Sequence, residues 1–248
     1  MTQRVVTHIQ TTNLSKTFNN TPAFERVSLT IRSGRTLVIA GPNGGGKTTL
    51  IDCLSGLIDA DRPSSLHRPT NGHASAIDIR RSIGYVPDED DTIGYLTALE
   101  YCQLVAAAYK KPLARTVAAA KDILRRLDFD QSKLNTLVVN FSHGMKKKLQ
   151  LAAILAVSPP IIIIDEPTNG LDPTATLLLK KLLKDSMFSN SAFVIATHNL
   201  PFAQSVAGEL LLLQQRPLAY GICNELLKDH ATESLESLYE KLVTITIS

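Results

Sequence analysis

Gly41-Pro42-Asn43-Gly44-Gly45-Gly46-Lys47-Thr48 is the stretch on which the fold turns. It fits the spacing G-x-x-x-x-G-K-T, and its flanks agree with that pattern. Thr36–Ala40 is a short apolar run that reads as a strand. From Thr48 onward Leu50, Ile51, Leu54, Leu57 and Ile58 recur at helical spacing, which predicts a helix with one buried face. A strand that ends in glycines and restarts as a helix aims backbone N–H groups and a helix N-terminus at one point, and such a point attracts phosphate. Asn43, Gly44, Gly45 and Gly46 would then wrap the phosphates, with Lys47 reaching the β- and γ-phosphates. Thr48 would offer its hydroxyl to Mg²⁺, and Thr49 would reach a more distant phosphate oxygen.

Working outward, residues 5–12 and 27–31 read as strands of an N-terminal sheet. The first helix is expected to end at 59–65, and the Pro, Ser, Asn and Gly content from there to 73 predicts a loop. Ile83–Val86 returns to strand before Pro87. Residues 97–109 and 113–127 have helical periodicity and alanine-rich composition, separated by Pro112, and form a helical insertion. Another helix runs from Ser142 to about 156. Residues 161–164 and 193–196 are apolar on both faces, as central parallel strands are. The expected fold is α/β: a mostly parallel sheet covered on both sides, with an N-terminal antiparallel β subdomain and an inserted helical subdomain.

The run at 161–164 delivers Asp165 and Glu166 to the carboxyl end of a buried strand, where open α/β sheets bind ligands. Asp165 suits a metal site, holding Mg²⁺ through its water shell, and Glu166 suits a base that polarises the water attacking a γ-phosphate. Burying both carboxylates without a cation would be costly, which argues against a purely structural pair. Together with the glycine-rich loop they read as a P-loop NTPase.

The segments between and after these motifs resemble the ATPases of ABC transporters. Glu166-Pro167-Thr168-Asn169-Gly170-Leu171-Asp172-Pro173 is similar to that family's Walker B extension and D-loop, and Ser142-His143-Gly144 stands where its signature motif belongs. His198, after Ala196-Thr197, matches the switch histidine that senses the γ-phosphate. Phe18 stands where an aromatic stacks on adenine. Taken singly, such a His or Phe is more often structural, and their fixed order is what gives them weight. The resemblance runs from Thr11 to about Gly221 and implies ATP and Mg²⁺ as ligands. It implies a site shared by two chains, with Ser142, His143, Gly144 and Asp172 reaching nucleotide held by a second ATPase subunit, in a homodimer or with a sister chain. It also implies an integral membrane permease as partner, and a place on the cytoplasmic face of the membrane.

On this reading residues 1–248 form one domain: 1–87 with 157–221 the nucleotide-binding core and β subdomain, 88–156 the inserted helical and signature part, and 222–248 a tail. Two departures from the family stand out. Its usual glutamine after Gly84-Tyr85-Val86-Pro87 is here Asp88, a candidate metal ligand that adds negative charge near the γ-phosphate unless a metal or a shifted loop compensates, followed by Glu89, Asp90 and Asp91. The signature reads Phe141-Ser142-His143-Gly144-Met145, placing an imidazole in that motif. The pairing resembles a bacterial group of ABC-2-type, mainly exporter-like ATPases.

Composition is consistent with this. A chain that is 44% hydrophobic and 20% charged is globular rather than disordered. A net charge of +3 with scattered basic residues gives no argument for nucleic acid. Lys146, Lys147 and Lys148 form the main cluster and read as a solvated helix start rather than a phosphate-binding patch. Cys53, Cys102 and Cys223 lack the spacing of a zinc site or disulfide framework, and Cys53 and Cys102 fall in apolar helical stretches, so they read as packing residues in a reducing compartment. Residues 1–12 lack the order of a signal peptide, and no apolar run reaches the ~20 residues a membrane helix needs. Any membrane role is expected to run through a partner. Two other functions fit a P-loop ATPase: a non-transport ABC ATPase and a slow-turnover nucleotide clamp. The absence of a long heptad insertion, a duplicated module and a basic segment counts against the first, and intact Lys47, Asp165, Glu166 and His198 against the second.

Overall fold

The computed structural model describes residues 7–61, 65–67, 80–89 and 93–247. Val5, most of the loop expected up to 73, and Asp90 and Asp91 lie outside the described residues.

The centre is a six-stranded sheet in the order β11-β10-β5-β9-β8-β7. Here β5 is Thr36–Ala40, β7 Ile83–Val86, β8 Ile161–Asp165, β9 Ala192–Thr197, β10 Glu209–Gln214 and β11 Arg216–Ile222. The strands from β10 to β7 pair in parallel, and β11 closes the edge antiparallel to β10. The central strands β5, β8 and β9 are apolar along most of their length because alternate residues feed two separate cores. Val38, Ala40, Ile162, Ile164, Phe193 and Ile195 face one core, and Leu37, Ile39, Ile161, Ile163, Val194 and Ala196 face the other. Each fully buried Ile or Val contributes roughly 1.5–3 kcal/mol, so both covers are needed to hold the sheet.

The second face is covered by α1 (Lys47–Ser55) and by N-terminal strands. These are β1 (Thr7–Thr12), paired antiparallel with β4 (Thr30–Arg32) and β6 (Ser65–His67), and the hairpin of β2 (Leu14–Phe18) with β3 (Thr21–Val27). The first face is covered by α2 (Ala98–Ala108), α3 (Leu113–Arg126) and α4 (His143–Val157), which pack on one another, and by α5 (Pro173–Leu183) and α6 (Leu200–Val206). The chain closes with α7 (Cys223–Asp229) and α8 (Leu235–Ile247), which buries Leu235 and Leu238.

Helix boundaries follow local chemistry. Thr97 caps α2 through a reciprocal capping box with Glu100, and Ser142 caps α4 by accepting from Met145 N. The expected strand at 27–31 is instead two strands, because buried Thr11 takes the intervening backbone groups. Its hydroxyl donates to Val27 O at 3.1 Å and accepts from Leu29 N at 3.0 Å. The first helix ends at Ser55, earlier than expected, since Gly56 adopts φ 79° and turns the chain out. Leu57, expected on the buried face, is 62% exposed. β6 falls inside the expected loop, where pairing to β1 overrides composition. Cys53 and Cys102 are buried as expected, and Cys223 is buried too.

Candidate active site

Two strand ends bring the site together. β5 runs into the glycine-rich loop, and β8 runs into Asp165 and Glu166 two strands away across β9. The loop is held close. A Cβ on Gly46 would lie 2.2 Å from Ala23 O, and this residue has φ 90°, so glycine is required as the residue that starts α1. Lys47 is buried and folds back, donating to Gly41 O at 3.1 Å and Pro42 O at 3.0 Å, with Glu166 Oε1 at 3.8 Å. Burial holds its ammonium below the usual lysine range, with Glu166 and Asp165 opposing that shift.

Thr48 Oγ1 donates to Asp165 Oδ2 at 2.8 Å. The other oxygen of that carboxylate, Oδ1, is buried without a hydrogen-bond partner. Burial pushes the Asp165 carboxyl up to about 6, with the neighbouring charges of Glu166 and Asp88 adding to it. Glu166 sits at φ 42°, a left-handed conformation that costs a non-glycine residue on the order of 1 kcal/mol. The strain is held by four contacts. Its N–H donates to Ala196 O, Thr197 Oγ1 donates to Oε2 at 2.8 Å, and His198 N and Nδ1 lie 2.9 and 2.8 Å from Oε1. Thr197 at the end of β9 and His198 just after it therefore aim the Glu166 carboxylate.

Asn43, Gly44, Gly46, Lys47, Thr48 and Thr49 line a cavity of about 250 Å³ together with Asp88 and Glu166. Gly45 stays beside them in the loop, donating to Pro42 O and accepting from Gln215 N. Asp165 lies beneath, against Thr48. Asp88 does not stand alone: Asn169 Nδ2 donates to its Oδ1 at 2.8 Å. Phe18, 48% exposed, ends β2 with Lys16 Nζ 5.2 Å from its ring centre.

Ser142, His143, Gly144 and Asp172 lie outside that cavity lining. Ser142 caps α4 and Asp172 caps α5, accepting from Ala175 N at 2.8 Å. That bond chiefly holds the Asp172 carboxyl below the usual range. A Cβ on Gly170 would lie 2.0 Å from His143 Cδ2, and one on Gly144 would lie 2.4 Å from Gly170 O. The signature segment thus packs on the 169–171 turn of its own chain.

The expectation for the lysine cluster fails. Lys147 is 1% exposed and Lys148 is also buried. Lys148 Nζ donates to Asp128 O at 3.1 Å, while Lys147 Nζ donates to Pro87 O at 2.8 Å and Asp165 O at 2.9 Å. Three more residues therefore belong with the site: Thr197, Asn169 and Lys147. A helical-wheel reading places Lys147 on one face with Leu151 and Ile154, so its burial had a periodic signal beneath its charge.

A phosphate loop on one strand, paired carboxylates on another and a histidine on a third define a P-loop NTPase. The sequence model described as ABC transporter matches residues 24–169. Among relatives, the SkfA peptide export ATP-binding protein SkfE of Bacillus subtilis strain 168 is 31% identical, over 85% of this chain and 87% of its own length. The glutamine transport ATP-binding protein GlnQ of Escherichia coli K12 is 30% identical, over 85% and 89%. A solved ATP-binding subunit of an ABC transporter superposes with a TM-score of 0.85 at 26% identity, covering 95% of this chain and 99% of that one. The chain belongs to the ABC transporter ATPase family: it is an ATP-binding motor subunit of an ABC transporter complex and an ATPase.

Proposed function

We propose that this subunit hydrolyses ATP–Mg²⁺ at a site completed by a second ATPase chain, and passes the resulting motion to an integral membrane permease. The observation that carries the two-chain reading is the separation just described. The cavity holds the phosphate loop, Asp88 and Glu166, while Ser142, His143 and Gly144 line no part of it. In the sandwich, those residues and Asp172 would face nucleotide held by the other chain.

The donor set fits Mg²⁺. Asp165 Oδ1 is a buried acceptor with no partner, Thr48 Oγ1 is bonded to the same carboxylate, and Mg²⁺ favours one or two protein oxygens plus substrate phosphates. Thr48 and Asp165 would hold the ion, with Asp88, which lines the same cavity, as a third metal-side oxygen. When bound, Mg²⁺ supplies positive charge to the β- and γ-phosphate oxygens. Asn43, Gly44 and Gly46 direct backbone N–H groups at the phosphates while Gly45 shapes the loop through its bond to Pro42 O, Lys47 places its ammonium there, and Thr49 reaches further along the chain of phosphates. Glu166 polarises the attacking water and accepts its proton as the bond from the γ-phosphorus to the leaving oxygen breaks. His198, fixed against Glu166, senses the γ-phosphate.

Phe18 serves as the adenine platform. Phe18→Ala is expected to raise the KM for ATP about tenfold, the ~1–3 kcal/mol of a lost base–aromatic stack, while Phe18→Tyr stays near wild type. An unchanged KM in the alanine variant would remove Phe18 from the site.

The division into a core (1–87 with 157–221), an inserted helical part (88–156) and a tail (222–248) accompanies this reading. It is supported by the packing of α2, α3 and α4 on one another. Residence on the cytoplasmic face through the permease is in keeping with the described residues, where no helix is long and apolar enough to cross a membrane. Membership of the ABC-2-type, exporter-like group rests on the Pro87-Asp88-Glu89 and Ser142-His143-Gly144-Met145 segments and on the export relative. A vesicle assay with the permease would assign the direction.

The sandwich is tested by an engineered thiol pair. In a chain whose Cys53, Cys102 and Cys223 are replaced, Ser142→Cys with Asn43→Cys is expected to give a disulfide-linked dimer on mild oxidation with ATP, and little without it. Monomer throughout would refute the shared site.

A further inference from the structure

Lys147 is a buried cation that the motif pattern did not require. Its ammonium bonds two carbonyls from different elements: Pro87 O, in the loop after β7, and Asp165 O, at the end of β8. Lys147 itself belongs to α4, five residues past the capping Ser142. One side chain therefore joins the signature helix, the loop carrying Asp88 and the strand end carrying Asp165 and Glu166. Removing a lysine from water costs several kcal/mol unless its surroundings compensate. Here the carboxylates of Asp88, Asp165 and Glu166 supply a favourable field.

The same loop is held at each of its next two residues. Asn169 Nδ2 donates to Asp88 Oδ1 at 2.8 Å, and Gln150, one turn beyond Lys147 in α4, reaches Glu89 O at 3.5 Å. Residues 87–89 are thus tied in succession, twice by α4 and once by the turn against which His143 packs.

We propose that Lys147 is a positioning residue that couples α4 to the Asp88 loop and to the two carboxylates, so that a displacement of the signature helix moves both together. The proposal rests on the reading of Asp165 and Glu166 as hydrolytic groups. A residue that only fills space would act on stability, whereas a coupling residue acts on turnover.

Lys147→Met keeps an unbranched stem, one heavy atom shorter than lysine, and removes its charge and donors. Lys147→Gln restores amide donors on a chain of the same length as methionine. Steady-state ATPase and amide hydrogen exchange of the nucleotide-free chain are measured on both. The expected result for Lys147→Met is a kcat at least tenfold lower at a KM for ATP within twofold of wild type. Its exchange is at least tenfold faster in residues 83–89 and 143–150, with β5 and α1 unchanged. Lys147→Gln is expected to lose only two- to fivefold in kcat. Wild-type kcat and exchange in Lys147→Met overturn the proposal, as does a uniform rise in exchange with loss of ATP affinity in both variants. Should Lys147→Met fail to fold, Lys147→Gln decides alone, and wild-type kcat and exchange there overturn it. Because exchange is read without nucleotide, it tests the strap independently of the hydrolytic reading, which falls instead if Glu166→Gln turns over normally.

Discussion

Replacing Glu166 by Gln is expected to slow ATP hydrolysis by a hundredfold or more, while ATP binding persists and the variant accumulates as an ATP-dependent dimer in sedimentation. The magnitude is that of losing a positioned general base, ~10²–10⁴. The variant is a clean test because little else changes. Gln is nearly isosteric, its amide oxygen still accepts from His198 N, and Thr197 Oγ1 can turn its hydroxyl to accept from the new amide. The positive φ at 166 is a backbone property and remains. Lys47, 3.8 Å from Oε1, keeps both of its carbonyl acceptors, so the phosphate loop retains its shape. Full turnover in the variant would exclude Glu166 as base, and a catalytically dead monomer would separate the chemistry from the two-chain architecture.

Asp165→Asn is expected to abolish Mg²⁺-dependent hydrolysis and, without metal or nucleotide, to make the chain more stable than wild type. Both effects follow from one carboxylate. Its Oδ1 is buried without a partner, and burial pushes its pKa up from 3.8 to about 6. A folded-state pKa above the unfolded value means that the native state holds more protons between about pH 4 and 6, so stability from this group rises as pH falls through 6. Above pH 6 the wild type carries the full burden of a buried charge, at most about 3 kcal/mol. A domain of this size shifts its Tm by roughly 2–4 °C for each kcal/mol. Metal-free melting should therefore place Asp165→Asn several degrees above wild type at pH 8, with the gap closing below about pH 4. A variant that melts lower at pH 8 would show that the Thr48 bond to Asp165 outweighs the burial of charge.

Such a stability gain at the expense of activity is what a binding site predicts. The carboxylate is kept charged in a place that only a cation relieves.

Most of the central fold was legible locally. Ile83–Val86 is the expected strand, and the helices expected over 97–109 and after Ser142 from periodicity and composition start at Thr97 and Ser142, which cap them. The phosphate loop and the paired carboxylates were legible as well, because each depends on a few adjacent residues and the strand or helix beside them. The structure brings Lys47, Thr48, Asp165 and Glu166 together, with Asp88 lining the same cavity as Lys47, Thr48 and Glu166.

Apart from the early end of α1, set by the neighbouring Gly56, what failed depended on partners distant in the chain. The break between β3 and β4 is set by the Thr11 hydroxyl, 16 residues from Val27. β6 forms because β1 offers it an edge, in a stretch whose composition favours a loop. The three lysines at 146–148 read as a solvated run because charge normally seeks water, and only the fold supplies carbonyls and carboxylates in place of that water.

The sequence alone therefore located the candidate chemistry of this protein: a glycine-rich loop, two carboxylates and a histidine in an order read from local pattern. Tertiary structure decided how those groups are held: Thr197 and His198 against Glu166, Asn169 against Asp88, and Lys147 across three elements. The physical reason is range. A motif is a property of neighbouring residues, whereas satisfying a buried charge or a strained carboxylate takes hydrogen bonds from segments that only folding brings within about 3 Å.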